Sequence, residues 1–155
     1  MKNRVKIFRN TISTDRRGKI WTSWEKIKLN LNFNHDKFTI SKKNVFRGFH
    51  YDNKTWKLVS CVYGKVIFFY FKIENTKKFK IKKLVLSHIK NITVLVPPGY
   101  AIGYVCVEAI NIFHYKLSYK GNYIDSNKQG TIKWNDERIF IKELKQKLIL
   151  SDRDK

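Results

Sequence analysis

Short runs of β-branched and aromatic residues, each closed by turn chemistry, recur along almost the whole chain and leave little room for anything but an antiparallel β fold. They fall at residues 5–8, 20–24, 38–40, 45–51, 56–63, 65–73, 84–86, 92–96, 101–107 and 112–119. Turn signals stand between them at Asp15-Arg16-Arg17-Gly18, Tyr63-Gly64-Lys65, Pro97-Pro98-Gly99 and Lys120-Gly121-Asn122. The spacing predicts an all-β sandwich or barrel. Only residues 141–150 carry a helical period, with Ile141, Leu144 and Leu148 on one face, so a short C-terminal helix packed on the sheets is expected. Neither a linker nor an internal repeat divides residues 1–155, which read as a single domain.

Charge narrows the partners less than its size suggests. The 33 Lys and Arg against 12 Asp and Glu give a net charge of +21, which attracts nucleic acid, anionic membranes or phosphorylated metabolites alike. The lysines are dispersed, with modest clusters at Lys77-Lys78 and from Lys80 to Lys83. Such dispersal fits a solvated basic surface, so nucleic acid is disfavoured as a partner. A basic polyanion-binding module stands as the alternative function. No stretch reaches the roughly 18 uninterrupted apolar residues of a membrane span, and Met1-Lys2-Asn3-Arg4-Val5-Lys6 leads into mixed sequence; a cytoplasmic protein without a membrane partner is expected. Cys61 and Cys106 lie in apolar runs without metal-ligand spacing and read as buried, reduced thiols.

Polar residues inside the apolar runs are the candidates for function, because uncompensated polar groups in a core are costly. Alternation places Lys57, Val59, Cys61 and Tyr63 on one side of their strand, and Phe113, Tyr115, Leu117 and Tyr119 on one side of theirs. If both sides face the interior, Lys57 and Tyr115 share a cavity. Arg47 and His50 have opposite parity, and a bulge at Gly48 would bring both to that cavity. Singly these residues are unremarkable: His50 reads as a satisfied core histidine, Tyr115 as one of eight tyrosines, and Asp136 as a turn cap beside Asn135.

Their order is more telling. Asp15-Arg16-Arg17-Gly18, Arg47-Gly48-Phe49-His50-Tyr51, Lys57-Leu58-Val59, Val96-Pro97-Pro98-Gly99-Tyr100-Ala101-Ile102-Gly103-Tyr104, Tyr115-Lys116 and Ile132-Lys133-Trp134-Asn135-Asp136 follow one another along the chain. Together, from about Val5 to Ile141, they make the sequence resemble the dTDP-4-dehydrorhamnose 3,5-epimerase family. That resemblance implies a cupin-type jelly-roll barrel, a homodimer, a nucleotide-diphospho-sugar substrate, no cofactor, and a place in carbohydrate or lipopolysaccharide precursor synthesis. It also implies His50 as catalytic base, Asp136 as the carboxylate orienting it, and Tyr115 as the acid on the opposite sugar face. Lys57 and Arg47 match residues that stabilise the enolate and hold the substrate, and Arg17, Asp52 and Ile102 fall at substrate-contact positions.

The chemistry asks for such groups independently. Inverting a carbon beside a ketone needs a base for the C–H proton, positive charge where the enolate oxygen forms, and an acid on the other face. Imidazole, ammonium and phenol supply these in turn. A metal is not required, and the cupin metal pattern of two closely spaced histidines is absent, since Tyr51-Asp52 follows His50. The sequence also departs from the family. Ile102 stands where a histidine is usual, Asp52 where a glutamine is usual, the segment from His50 to Lys57 is shortened, and Lys19-Ile20-Trp21-Thr22 replaces an aromatic and acidic stretch after Arg17-Gly18. These departures leave the sugar, and inversion at one carbon or two, open. They also keep two further readings in play: a homologue that binds a nucleotide sugar without turnover, and a related ketoisomerase, whose expected second histidine is missing.

Overall fold

The protein is described from a computed structural model covering residues 4–25, 30–120 and 129–155; the turn expected at Lys120-Gly121-Asn122 runs out of the described residues. Twelve strands are present among them: β1 Lys6–Arg9, β2 Ile12–Asp15, β3 Gly18–Trp21, β4 His35–Lys42, β5 Phe46–Tyr51, β6 Lys57–Tyr63, β7 Lys65–Lys72, β8 Lys82–Ser87, β9 Ile92–Val96, β10 Tyr100–Cys106, β11 Ile110–Leu117 and β12 Gly130–Thr131. Two five-stranded sheets result, in the orders β1-β9-β6-β11-β4 and β12-β5-β10-β7-β8, and neighbouring strands in both run antiparallel. Consecutive strands from β5 to β7 and from β8 to β11 cross between the sheets, which is the jelly-roll cupin arrangement. The hairpin β2–β3 pairs only with itself.

Alternation explains where the core lies. Val59 and Cys61 of β6, Phe113 of β11, Val94 and Val96 of β9, Val66 and Phe68 of β7, and Tyr104 and Cys106 of β10 meet between the sheets. Both cysteines are free and buried. The second sheet is apolar on its outer face as well: Phe46, Phe49, Phe69, Phe71, Ala101 and Val105 form a second cluster. What covers that face is the C-terminal segment, through Ile141, Leu144, Leu148 and Leu150.

That segment is not the helix its periodicity suggests. Only a 3₁₀ turn, Lys142–Lys145, forms, and Gln146 after it is extended. A ten-residue helix has little stability of its own, and here the backbone has a better partner. The N–H of Ile149 donates to Asn44 O at 2.9 Å and the N–H of Phe46 donates to Ile149 O at 3.0 Å, a parallel bridge between Val45 and Ile149. Beyond this bridge a turn at residues 152–154 carries Asp154 to His50.

The bulge expected at Gly48 is present. Along β10, Ile102 faces His50 and Tyr104 faces Arg47, so two steps on one strand answer three on the other. Gly48 has φ +126°, and a Cβ there would stand 2.5 Å from Gly103 Cα and 2.6 Å from Ile102 O. No side chain fits, and the irregularity turns Arg47 and His50 to the same side.

Candidate active site

One cavity of about 260 Å3 opens between the two sheets, lined by Lys37 and Thr39 of β4, Arg47 and His50 of β5, Lys57 of β6, Ile102, Gly103 and Tyr104 of β10, Tyr115 and Leu117 of β11, and Gln129, Ser151, Arg153 and Asp154. Strand pairing sets the geometry: Leu117 lies opposite Lys57 and Tyr115 opposite Val59, so the lysine and the tyrosine project from neighbouring strands into one space. The structure thus brings together His50, Lys57, Tyr115, Arg47 and Ile102. It does not bring Asp136, Arg17 or Asp52 to the cavity wall.

The carboxylate behind His50 is Asp154. His50 Nε2 lies 2.8 Å from Asp154 Oδ1, with the carboxylate side chain only 3% exposed. Since a carboxylate can only accept, Nε2 carries the hydrogen and the lone pair of the neutral ring falls on Nδ1. Burial opposes ionisation of Asp154, but the His50 interaction, Ser151 and the Gly48 N–H outweigh it and hold the carboxyl below its usual range. Asp136 instead accepts from Arg138 Nε at 2.8 Å and Nη2 at 2.7 Å, a neighbour two residues away. A local arginine satisfies that carboxylate where the expected histidine does not. Arg17 likewise pairs within its own turn, its Nε 3.1 Å from Asp15 Oδ2, and lies exposed on the β2–β3 hairpin.

Asp52 stands behind Lys57 rather than at the wall. Lys57 Nζ is 3.2 Å from Asp52 Oδ2, and both side chains are largely enclosed. Burial drives the Lys57 ammonium below the usual lysine range, while Asp52 opposes the shift. Asp52 feels the reverse: burial raises its pKa, but Lys57 and the N–H groups of Lys54 and Thr55 outweigh it and leave the carboxyl below its usual range.

Several cavity residues escape sequence reading. Tyr104 shares a 2.7 Å hydrogen bond with Thr39 Oγ1 and also bonds the Tyr115 hydroxyl. Burial pushes the Tyr104 phenol up, and these two hydrogen bonds pull it part of the way back. Its ring stacks on Phe113 at 4.2 Å, and Phe113 meets Tyr115 edge-on at 5.0 Å, so an aromatic column fixes Tyr115. Lys37 adds a cation whose pKa is lowered by burial and by Arg47 and Arg153 nearby. Arg153 is held by Thr131 Oγ1 at 3.0 Å and Gln129 O at 3.1 Å. The one available signal for Lys37 was its parity with Thr39 and Ser41 on β4. Asp154 and Arg153 sit in Ser151-Asp152-Arg153-Asp154-Lys155, which reads as a solvated charge run.

The wall therefore carries four cationic side chains, Lys37, Arg47, Lys57 and Arg153, around a histidine–carboxylate pair and a phenol. Among the described residues no group of three His, Cys, Asp or Glu is placed to hold a metal, and no helix is long and apolar enough to cross a membrane. Imidazole, phenol and ammonium groups of this kind are able to move protons, and the surrounding cations favour an anionic ligand.

The model of the dTDP-4-dehydrorhamnose 3,5-epimerase family matches residues 3–155, and the chain belongs to that family. The dTDP-4-dehydrorhamnose 3,5-epimerase of Salmonella typhimurium is 32% identical over 148 residues, covering 88% of this chain and 79% of the relative. Among solved structures, the dTDP-6-deoxy-D-glucose-3,5-epimerase of Legionella pneumophila, in complex with dTDP-4-keto-L-rhamnose, is 27% identical with a TM-score of 0.84, covering 97% of this chain and 84% of that one. The dTDP-4-dehydrorhamnose 3,5-epimerase of Bacillus anthracis shares the fold at 23% identity and TM-score 0.86, covering 97% and 90%. Fold and enzyme class thus agree with the reading of the sequence.

Proposed function

We propose that the chain inverts C3, C5 or both of a dTDP-linked 4-keto-6-deoxy sugar by removing a proton to an enolate and returning one from the opposite face. The observation that carries this reading is the His50–Asp154 pair sharing one cavity with Lys57 and Tyr115. His50, kept in one tautomer by Asp154, takes the proton from carbon at Nδ1. The Lys57 ammonium meets the charge that gathers on the C4 oxygen, in a site where little water screens it. Tyr115 then gives its phenolic proton to the other face, and the Tyr104 hydroxyl donates to the phenolate left behind. Exchange with solvent removes the proton from His50 and restores that of Tyr115, so no net proton is consumed.

Size fits this division of labour. A cavity of about 260 Å3 lies below the roughly 300–1,000 Å3 of pockets that enclose drug-sized ligands. It accepts the sugar and leaves the nucleotide at the mouth, where Arg47, Lys37 and Arg153 supply positive charge for phosphate. Ile102 presents an apolar wall opposite His50 where the family usually has a histidine, so one polar contact to the sugar is given up. We read residues 1–155 as one cytoplasmic domain acting as a homodimer; free buried thiols suit a reducing compartment. The β2–β3 hairpin, exposed at every residue but Trp21, is the surface a second copy would cover, and Arg17 lies on it.

The test is incubation of the protein with dTDP-4-keto-6-deoxy-D-glucose in heavy water, followed by proton NMR of the recovered sugar. Deuterium at C3, C5 or both, together with inverted product, is expected. A sugar recovered without deuterium and without inversion contradicts the proposal.

A further inference from the structure

An ammonium as enclosed as that of Lys57, 3% exposed, does not keep its proton without help. Desolvation favours the neutral amine, and the charge of Arg153 acts in the same direction. The other charged and titratable groups of the cavity are His50, Asp154, Tyr104, Tyr115, Lys37 and Arg47; two are cations, two are phenols, and Asp154 is engaged by His50. A neutral Lys57 would have no full charge to set against an enolate.

The compensating group is Asp52. Its Oδ1 accepts the backbone N–H of Lys54 at 2.9 Å and of Thr55 at 2.6 Å, and its carbonyl accepts the N–H of Gly99 at 2.8 Å. The turn therefore holds the carboxylate and keeps it from swinging to water. Oδ2 is buried, and among the described residues it has no hydrogen-bond partner beyond the 3.2 Å ion contact with Lys57. A glutamine, usual here in the family, would bring no charge.

We infer that Asp52 is a positioning residue for the reaction, holding Lys57 charged and directed at the oxygen that becomes the enolate. This rests on the role given to Lys57 in the proposed function. Asp52→Asn retains the Oδ1 acceptor for the two N–H groups, removes the charge and replaces the Oδ2 acceptor facing Lys57 with an amide donor. In the full-length protein, kcat at pH 8 should fall about 10- to 100-fold with KM within about threefold. The alkaline limb of the kcat profile should move to lower pH by at least about one unit. Asp52→Glu should recover part of the loss, and Asp52→Ser, which keeps a turn-capping oxygen, should reproduce the shift. A readout without substrate is the ¹⁵N resonance of the Lys57 ζ-amine, assigned by its loss in Lys57→Met. It should deprotonate at clearly lower pH in Asp52→Asn and Asp52→Ser than in wild type. Titration at the same pH in all three proteins, or an unmoved kcat profile, overturns the inference. Absence of turnover in wild type would count against the proposed function instead, and the lysine titration would still decide the role of Asp52.

Discussion

The molecule carries two sets of histidine, aspartate and lysine, one at the cavity and one on the outer face of β11; outside, histidine and lysine share one carboxylate, and inside each has its own. Inside, His50 meets Asp154 at 2.8 Å with Lys57 across the space. Outside, His114 meets Asp36 at 2.7 Å, and Lys116 reaches the same carboxylate at 2.7 Å. The distances are alike, and His114 is the less exposed histidine, 12% against 25% for His50; the difference lies in the carboxylates, Asp36 being 52% exposed and Asp154 3%. On the outer face water screens the charges, and the histidine stacks on Phe38 at 4.5 Å. Within the cavity the Asp154 carboxylate lies at low dielectric, beside the space proposed to take the sugar. Residue identity does not make a site; the parity of β11, which sends Tyr115 inward and His114 and Lys116 outward, decides which set faces the cavity.

The largest expected contrast is at the histidines. His50→Ala should lower kcat by about 10³-fold or more, and His114→Ala should leave it within about twofold. Next come the lysines: Lys57→Met is expected to cost about 10²-fold in kcat, and Lys116→Met little, by the same steady-state assay. At the carboxylates, Asp154→Asn should lower kcat about 10²-fold by releasing the His50 tautomer. Asp136→Asn should leave kcat within about threefold, since its partner is the half-exposed Arg138. Tyr115→Phe should separate the two half-reactions, with exchange of substrate hydrogen continuing while inversion stops.

The smallest effect is on stability. The Asp154 carboxyl is held below its usual range in the folded protein, so its contribution is present above the unfolded value near pH 4 and is lost as pH falls through the lower folded value. The carboxyl of Asp36 is also lowered, with burial opposing Lys116 and His114. Thermal melts from pH 3 to 7 should show both contributions, and 1 M salt should erase that of Asp36 while sparing that of Asp154.

Much of the inner set is legible in the sequence because strand alternation is a local rule. Parity alone directs Lys57 and Tyr115 to one space, and a glycine inside a strand announces the bulge that adds Arg47 and His50. The all-β sandwich or barrel follows from the same rhythm, and its cupin form from the resemblance to the family. Asp154 is not legible, because it reaches His50 across 104 positions from a charged segment that local rules assign to solvent. The C-terminal helix fails for the related reason that a backbone bridge to β5, invisible in the period, replaces helical hydrogen bonds. Asp136 and Arg17 show the converse: each finds an opposite charge two residues away, and a local ion pair absorbs a residue that the motif order marks for the site. Asp52 is visible as a departure from the family, but only the turn it caps reveals that it faces Lys57.

The central claim is that enclosure with Asp154 makes His50 the base. Its most direct test is the rate at which the C3 and C5 hydrogens of dTDP-4-keto-6-deoxy-D-glucose exchange in heavy water, measured side by side for wild type, His50→Ala and His114→Ala. Exchange is expected in wild type and His114→Ala at rates within about twofold, with His50→Ala slower by about 10³-fold. Exchange that survives in His50→Ala, or disappears equally in both variants, would contradict it.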